Sequence, residues 1–284
     1  MVEGSEDNSQ PPPCTQCQCK ISKSSPFESS HSSTPLSEIG ASSRRGSLST
    51  FPQKVSRIAM LGHRALRIHV TTVNAFPSTL TKNEIVWACL VDAVGDVEAL
   101  KKHVEELKLD HDAKEQVITY VWGACAQLRG ELVSKACHKT SSSYNIPGNM
   151  SPSVLLETIQ WILKNDTFLY DKLNLENKTF DWKMPFCNQL FKNLFITQWF
   201  GARDEALRFP DKFRKVPDSI LALIATVIEC SLNTWLHSVH TQVKFTDTQF
   251  KSHYSHFMKK LDGLNKSCPT WLKQFKRDLY LKAW

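Results

Sequence analysis

The stretch "VWGACAQLRGELVSKA", residues 121–136, decides the fold. At about 100° per residue, Ile118, Val121, Trp122, Cys125, Leu132 and Ala136 fall on one face, which is the pattern of a helix with a buried side. Arg129 lands near the middle of that face, and Gly123 and Gly130 run along its edge. A guanidinium stays charged at any accessible pH, so burying it requires carboxylates or several carbonyls around it. Two readings follow. In one, Arg129 is a clamp that fixes helix registry. In the other, it is the receptor of an anion or substrate pocket.

Outward from this helix the chain continues in the same period. Residues 54–72 read as a basic amphipathic helix that stops before the turn "NAFP". Thr81 with Glu84 forms a capping-box pattern for a second helix, which ends at Gly95. Val97, Leu100, Val104 and Leu107 repeat at helical spacing, and Asp112 with Glu115 opens the helix that contains Arg129. Ser151-Pro152 is a cap followed by proline at the first helical position, and this helix is expected to bury Leu155, Ile159 and Ile162. The region "FLYDKLNLENKTFDWKMP" is less regular and leaves room for short extended pieces. Pro185 is expected to start an aromatic-rich helix that ends at Gly201. "SILALIATVIECSLNTWL" is apolar nearly all round, the signature of a central buried helix. Two further helices carry Phe250, Tyr254, Phe257, Leu261 and Leu264, and then Trp271, Phe275 and Leu279. No strand alternation persists. The expected fold class is all-α: one multi-helix globular domain of about eight helices over residues 54–284, closing on a basic amphipathic helix at 269–283.

Residues 1–53 are rich in Ser and Pro and nearly free of large apolar side chains, so they are expected to be a disordered tail. Within the tail, "RRGSLS" sets two arginines ahead of Ser47, which makes Ser47 a phosphorylation candidate. Cys14, Cys17 and Cys19 lack a nearby second ligand pair, and zinc sites normally use four spaced ligands, so no metal is expected there. The nine cysteines show no scaffold pairing, the N-terminus has no secretory order, and no apolar run is long enough to span a membrane. The longest, from Ile220, is interrupted at Glu229. These features point to an intracellular protein of cytoplasm or nucleus.

The ordered set "NAFP", "QLRGELVSKA", "SYNIPG", "WF", "VPDSILALIATVIECSLNTW" and "FKSHYSHFMKKLDGL" resembles a helical domain family of unknown function expanded in mushroom-forming fungi. The resemblance runs from about His63 to Leu264. The segment "LHSVHTQVKF" lacks a glycine that the resemblance leads one to expect. What it implies is a helical domain in a fungal cell; it brings no activity, substrate or catalytic residue.

Function must therefore be read from the residues. Glu229 lies on a narrow polar stripe with Thr226, Asn233 and His237, so an Arg129/Glu229/His237 pocket is the enzyme or anion-binding reading, with Asp92 as a further acid. The small residues Thr119, Gly123, Ala126 and Gly130 are expected to admit another backbone, with Ala222 and Ala225 as the crossing surface. His237 with His240 and His253 with His256 have i,i+3 spacing, but no carboxylate is fixed beside them, and no metal or other cofactor is expected. "GxSxG", "GxxxxGK" and "GxGxxG" are absent, which removes the common nucleophile-elbow and phosphate-loop classes. Net charge is +7, and from Lys251 onward eight basic residues face two acidic ones. Lys259, Lys260, Lys273, Lys276 and Arg277, together with Trp271, form a basic-aromatic set suited to an acidic protein surface or to nucleic acid. The alternative is a solvated face whose aromatics turn inward. The leading expectation is a non-catalytic helical interaction module.

Overall fold

The computed structural model describes residues 48–95, 97–201, 203, 205–236 and 243–284. The expected disorder of residues 1–47, Ser47, the Cys14/Cys17/Cys19 group, His237 and His240 fall outside the described residues. Most of the described residues are helical, as the periodicity requires. The elements are α1 (Gln53–Thr72), α2 (Lys82–Val94), α3 (Glu98–Leu109), α4 (His111–Ser143), α5 (Pro152–Leu163), α6 (Gln189–Trp199), α7 (Glu205–Arg208), α8 (Pro210–Phe213), α9 (Asp218–Asn233), α10 (Asp247–Ser267) and α11 (Pro269–Leu281).

The centre is α9, whose Ile220 to Ile228 are all buried, and it packs against α1, α4, α5, α6 and α10. Helix α4 is the second organiser. Its 33 residues make a rod of roughly 50 Å at 1.5 Å per residue, long enough to meet α1, α2, α3, α6 and α9. A hydroxyl pair, Thr140 Oγ1 with Ser231 Oγ at 2.7 Å, ties α4 to α9 inside otherwise apolar packing.

Several expectations are corrected. Leu48–Thr50, placed in the tail by composition, form a 3-10 turn, and Ser56 Oγ donates to the Leu48 and Phe51 carbonyls. The Thr81/Glu84 box does not form; Ser78 instead accepts from Leu80 N–H, and the Thr81 hydroxyl donates back to the Ser78 carbonyl. Helix α4 is capped by Asp110, whose carboxylate accepts from Ala113 N–H, so the long helix starts before Asp112. Helix α6 begins after Asn188, whose Oδ1 accepts from Leu190 N–H, and Pro185 sits in the turn before it. Ile159 and Ile162 are buried in α5, whereas Leu155 is only half-buried.

Two short strands, β1 (Asp171–Asn174) and β2 (Thr179–Asp181), pair antiparallel as a hairpin in the irregular region. Phe180 rests against Tyr170 and Trp161, at ring-centroid distances of 4.8 and 6.5 Å. The ribbon is thus held by aromatic contacts, because a two-stranded hairpin is marginal by itself.

The glycines of α4 also differ from expectation. A Cβ added at Gly123 or Gly130 would meet nothing within 4 Å, so neither marks a helix crossing. The close approach is at Gly62 of α1, where a Cβ would lie 3.3 Å from Val121 and 3.4 Å from Leu90.

Candidate functional site

Arg129 is 8% exposed and its guanidinium is engaged on three sides. Nη1 donates to the Ala75 carbonyl at 2.9 Å, Nη2 pairs with Asp247 at 2.7 Å, and the group lies 4.8 Å over the Phe76 ring. Ala75 N–H reaches the Tyr254 hydroxyl at 3.4 Å, and Phe76 packs on Tyr254 and Phe245. The residues of "NAFP", of the α4 stretch and of α10 therefore converge on one clamp around the loop after α1. Neither polar partner of Arg129 is Glu229.

Glu229 instead meets His253 Nδ1 at 2.9 Å, and burial raises its carboxyl above the usual carboxylate range. His256 meets Asp166 at 2.8 Å, and Lys260 pairs with the same carboxylate. The structure thus divides the proposed Arg129/Glu229 pair between two seams, and the third member, His237, is not among the described residues. Asp92 and Cys89 line a groove between α1 and α2, where burial and Asp92 push the thiol up to about 11. The Cys125 and Cys230 thiols go to about 12 and Cys187 to about 11, all by burial, so these sulfurs stay protonated and poorly nucleophilic. Among the described residues, no three of His, Cys, Asp and Glu converge as a metal site.

The basic C-terminal set separates by position. Lys276 pairs with Asp218 at 2.6 Å and Lys260 with Asp166, so both serve the fold's own carboxylates. Lys259, Lys273 and Arg277 are exposed. Trp271 stacks on Phe275, with ring centroids at 5.4 Å and planes 3° apart. The stack forms a wall of a groove of about 140 Å³ between α11, α6 and the turn before α6. Met184 and Leu279 add apolar lining; Lys192 and Lys282 add positive charge, against Asp278. Trp182 and Trp284, 70% and 65% exposed, each lie two residues from a lining residue. Lys282 belongs to the basic C-terminal run seen in the sequence, whereas Lys192 and the groove itself were not visible there, because they depend on where α6 meets α11.

A second guanidinium also escaped the sequence reading. Arg67 of α1 is 2% exposed; its Nε donates to Glu205 at 2.5 Å and Nη2 to Glu131 at 3.0 Å. Arg203 meets the other oxygen of Glu131 at 2.7 Å, while Gln198 Nε2 donates to the oxygen bound by Arg67 at 3.4 Å. Lys135 Nζ donates to Gln198 and to the Thr197 carbonyl, both at 2.8 Å. The available signal was the one that exposed Arg129: a charged residue within the buried run Leu66–Ile68.

With this geometry in view, comparison with known proteins points to a family. A family model described as Domain of unknown function (DUF6532) matches residues 61–264. The chain belongs to this family. No curated protein and no solved structure matches significantly. The matched span of the DUF6532 domain includes Arg67, Arg129, Glu131, Glu205 and Asp247, so both arginine clusters lie inside it, while α11 lies beyond it.

Proposed function

We propose that the protein is a non-catalytic helical binding module whose groove between α6 and α11 takes an acidic protein segment carrying an apolar anchor. The observation that carries the reading is the Trp271–Phe275 wall set between Lys192 and Lys282. Aromatic groups in a small concavity with a polar, solvent-accessible rim are common in protein-binding hot spots. Round the helix, Arg277 follows Gln274 at the groove's lip, while Lys273 faces outward to steer an acidic partner. A nucleic-acid surface is less well supported, because Lys260 and Lys276 are neutralised internally and Asp278 interrupts the basic track. The enzyme reading loses its premise, since Arg129 is spent on a carbonyl, a carboxylate and a ring. The sequence resemblance supports a fungal intracellular setting, and the two arginines before Ser47 support modification of the tail.

The test is selection of random displayed peptides on the full chain, with the Lys192→Glu/Lys282→Glu variant as counter-target. The expected winners carry Asp or Glu beside Leu, Phe or Trp, and fail on the variant or on Trp271→Ala. Equal enrichment on the variant would refute the groove. Tighter, steeply salt-dependent binding to single-stranded DNA would replace the partner class.

A further inference from the structure

We propose that a second pocket, on the outer side of α1, binds a hydrogen-bearing phosphate group, either inorganic phosphate or a phosphate monoester. The argument begins with two atoms. Arg67 uses Nε and Nη2, but Nη1 is buried and finds no hydrogen-bond partner among the described residues. Glu205, 3% exposed, uses Oε1 on Arg67 and leaves Oε2 buried in the same condition. Unpaired polar atoms are rare in folded interiors because each forfeits its hydration, so a donor and an acceptor left over on two residues that line one pocket point to a ligand.

Arg67 and Glu205 line one pocket of about 280 Å³. Arg64, Arg203 and Arg208 join them, with Tyr120 and His63 as neutral neighbours. Four guanidinium groups thus surround the space against two carboxylates, Glu205 in the lining and Glu131 behind it. His63 is pushed down to about 4, chiefly by burial and further by Arg67 and Arg203.

The two orphaned atoms select the chemistry. An oxyanion supplies acceptors to Arg67 Nη1 and to the surrounding arginines. Glu205 Oε2 needs a donor, and a carboxylate or sulfate ligand would set a bare negative oxygen against it. Hydrogen phosphate carries both kinds of group: its P–O⁻ oxygens accept and its P–OH donates. A monoester in its singly protonated form offers the same pair at and below about pH 6, where its second ionisation falls. The two surplus cations equal the charge of the hydrogen phosphate dianion and exceed by one that of the protonated monoester.

The experiment titrates the full chain calorimetrically with inorganic phosphate, phenyl phosphate and sulfate, at pH 6 and matched ionic strength. Phosphate is expected to bind at least ~10-fold more tightly than sulfate, the difference of one hydrogen bond to a charged group. Arg64→Gln and Arg208→Gln change exposed lining residues that the fold does not need, and each is expected to weaken phosphate ~10-fold. Tighter binding of phenyl phosphate would assign a monoester; tighter binding of inorganic phosphate would assign the free ion. Arg67→Lys keeps a charge while removing Nη1, and is expected to abolish the preference over sulfate. Equal binding of sulfate, or no heat beyond that of sodium chloride, would overturn the proposal. So would phosphate binding that survives both arginine changes but is lost in Lys282→Gln, which would move it to the α11 groove.

Discussion

A guanidinium in a helical core is costly unless every direction in which it can donate is met, and Arg129 meets this demand with a mixture of partners. The Ala75 carbonyl is buried, whereas Asp247 is 45% exposed at its side chain. Removing the arginine therefore strands a buried acceptor but no buried charge. Arg129→Met is expected to cost about 2 kcal/mol in urea unfolding, below the 3–5 typical of a broken buried pair. Asp247→Asn should cost less, at most about 1 kcal/mol, because water already reaches that carboxylate. A loss for Asp247→Asn equal to that for Arg129→Met would mean that the ion pair, not the carbonyl, is what the clamp depends on. The buried position of Arg129 was legible from its angular place among Ile118, Val121 and Cys125. Its partners were not, because Ala75 and Asp247 come to it through loops whose course no local period encodes.

Helices were legible because their apolar residues recur every three or four positions, and the errors lie where a single polar residue chooses between caps. Asp110 captured the start of α4 ahead of Asp112, and Ser78 displaced the Thr81 box. Asp110→Ala should cost about 1 kcal/mol, the usual value of a lost N-cap, whereas Asp112→Ala should change stability by no more than about 0.5 kcal/mol. Glycines sharpen the contrast between elements. Gly130 faces open space inside a regular helix, so Gly130→Ala is expected to stabilise by about 0.5–1 kcal/mol through backbone entropy. In Gly62→Ala the same gain is opposed by Val121 and Leu90, both fully buried and unable to yield. Overpacking should win there, with a net loss of about 1 kcal/mol seen as a lower urea midpoint. Sequence reading favoured Gly123 and Gly130 as a crossing edge because small residues look alike in one dimension. Only the positions of α2 and α4 beside α1 show which glycine is crowded.

At the scale of the molecule, the all-α class and the central helix followed from composition and period. The charge clusters did not, since each joins segments distant in the chain. The Arg67 cluster links α1, α4 and α7, so its ionisation should appear in the stability of the whole. His63 is held down to about 4 from an ordinary 6.5, chiefly by burial and then by Arg67 and Arg203. The unfolded chain therefore takes up a proton between these values before the folded one does, and stability rises with pH across that window. The full contribution is present above pH 6.5 and is lost as pH falls toward 4. Glu131 acts in the same sense at lower pH, because Arg67 and Arg203 outweigh its desolvation and depress its carboxyl. Glu229 acts oppositely, since burial raises its carboxyl and acid relieves that cost. Comparison of variants isolates the histidine. Between pH 6.5 and 4 the wild type should lose on the order of 1–2 kcal/mol more than His63→Gln, the shift being discounted for the ring's partial exposure to solvent. Parallel pH profiles of the two proteins in urea unfolding would show that neither burial nor the cationic field at α1 holds the His63 ring down.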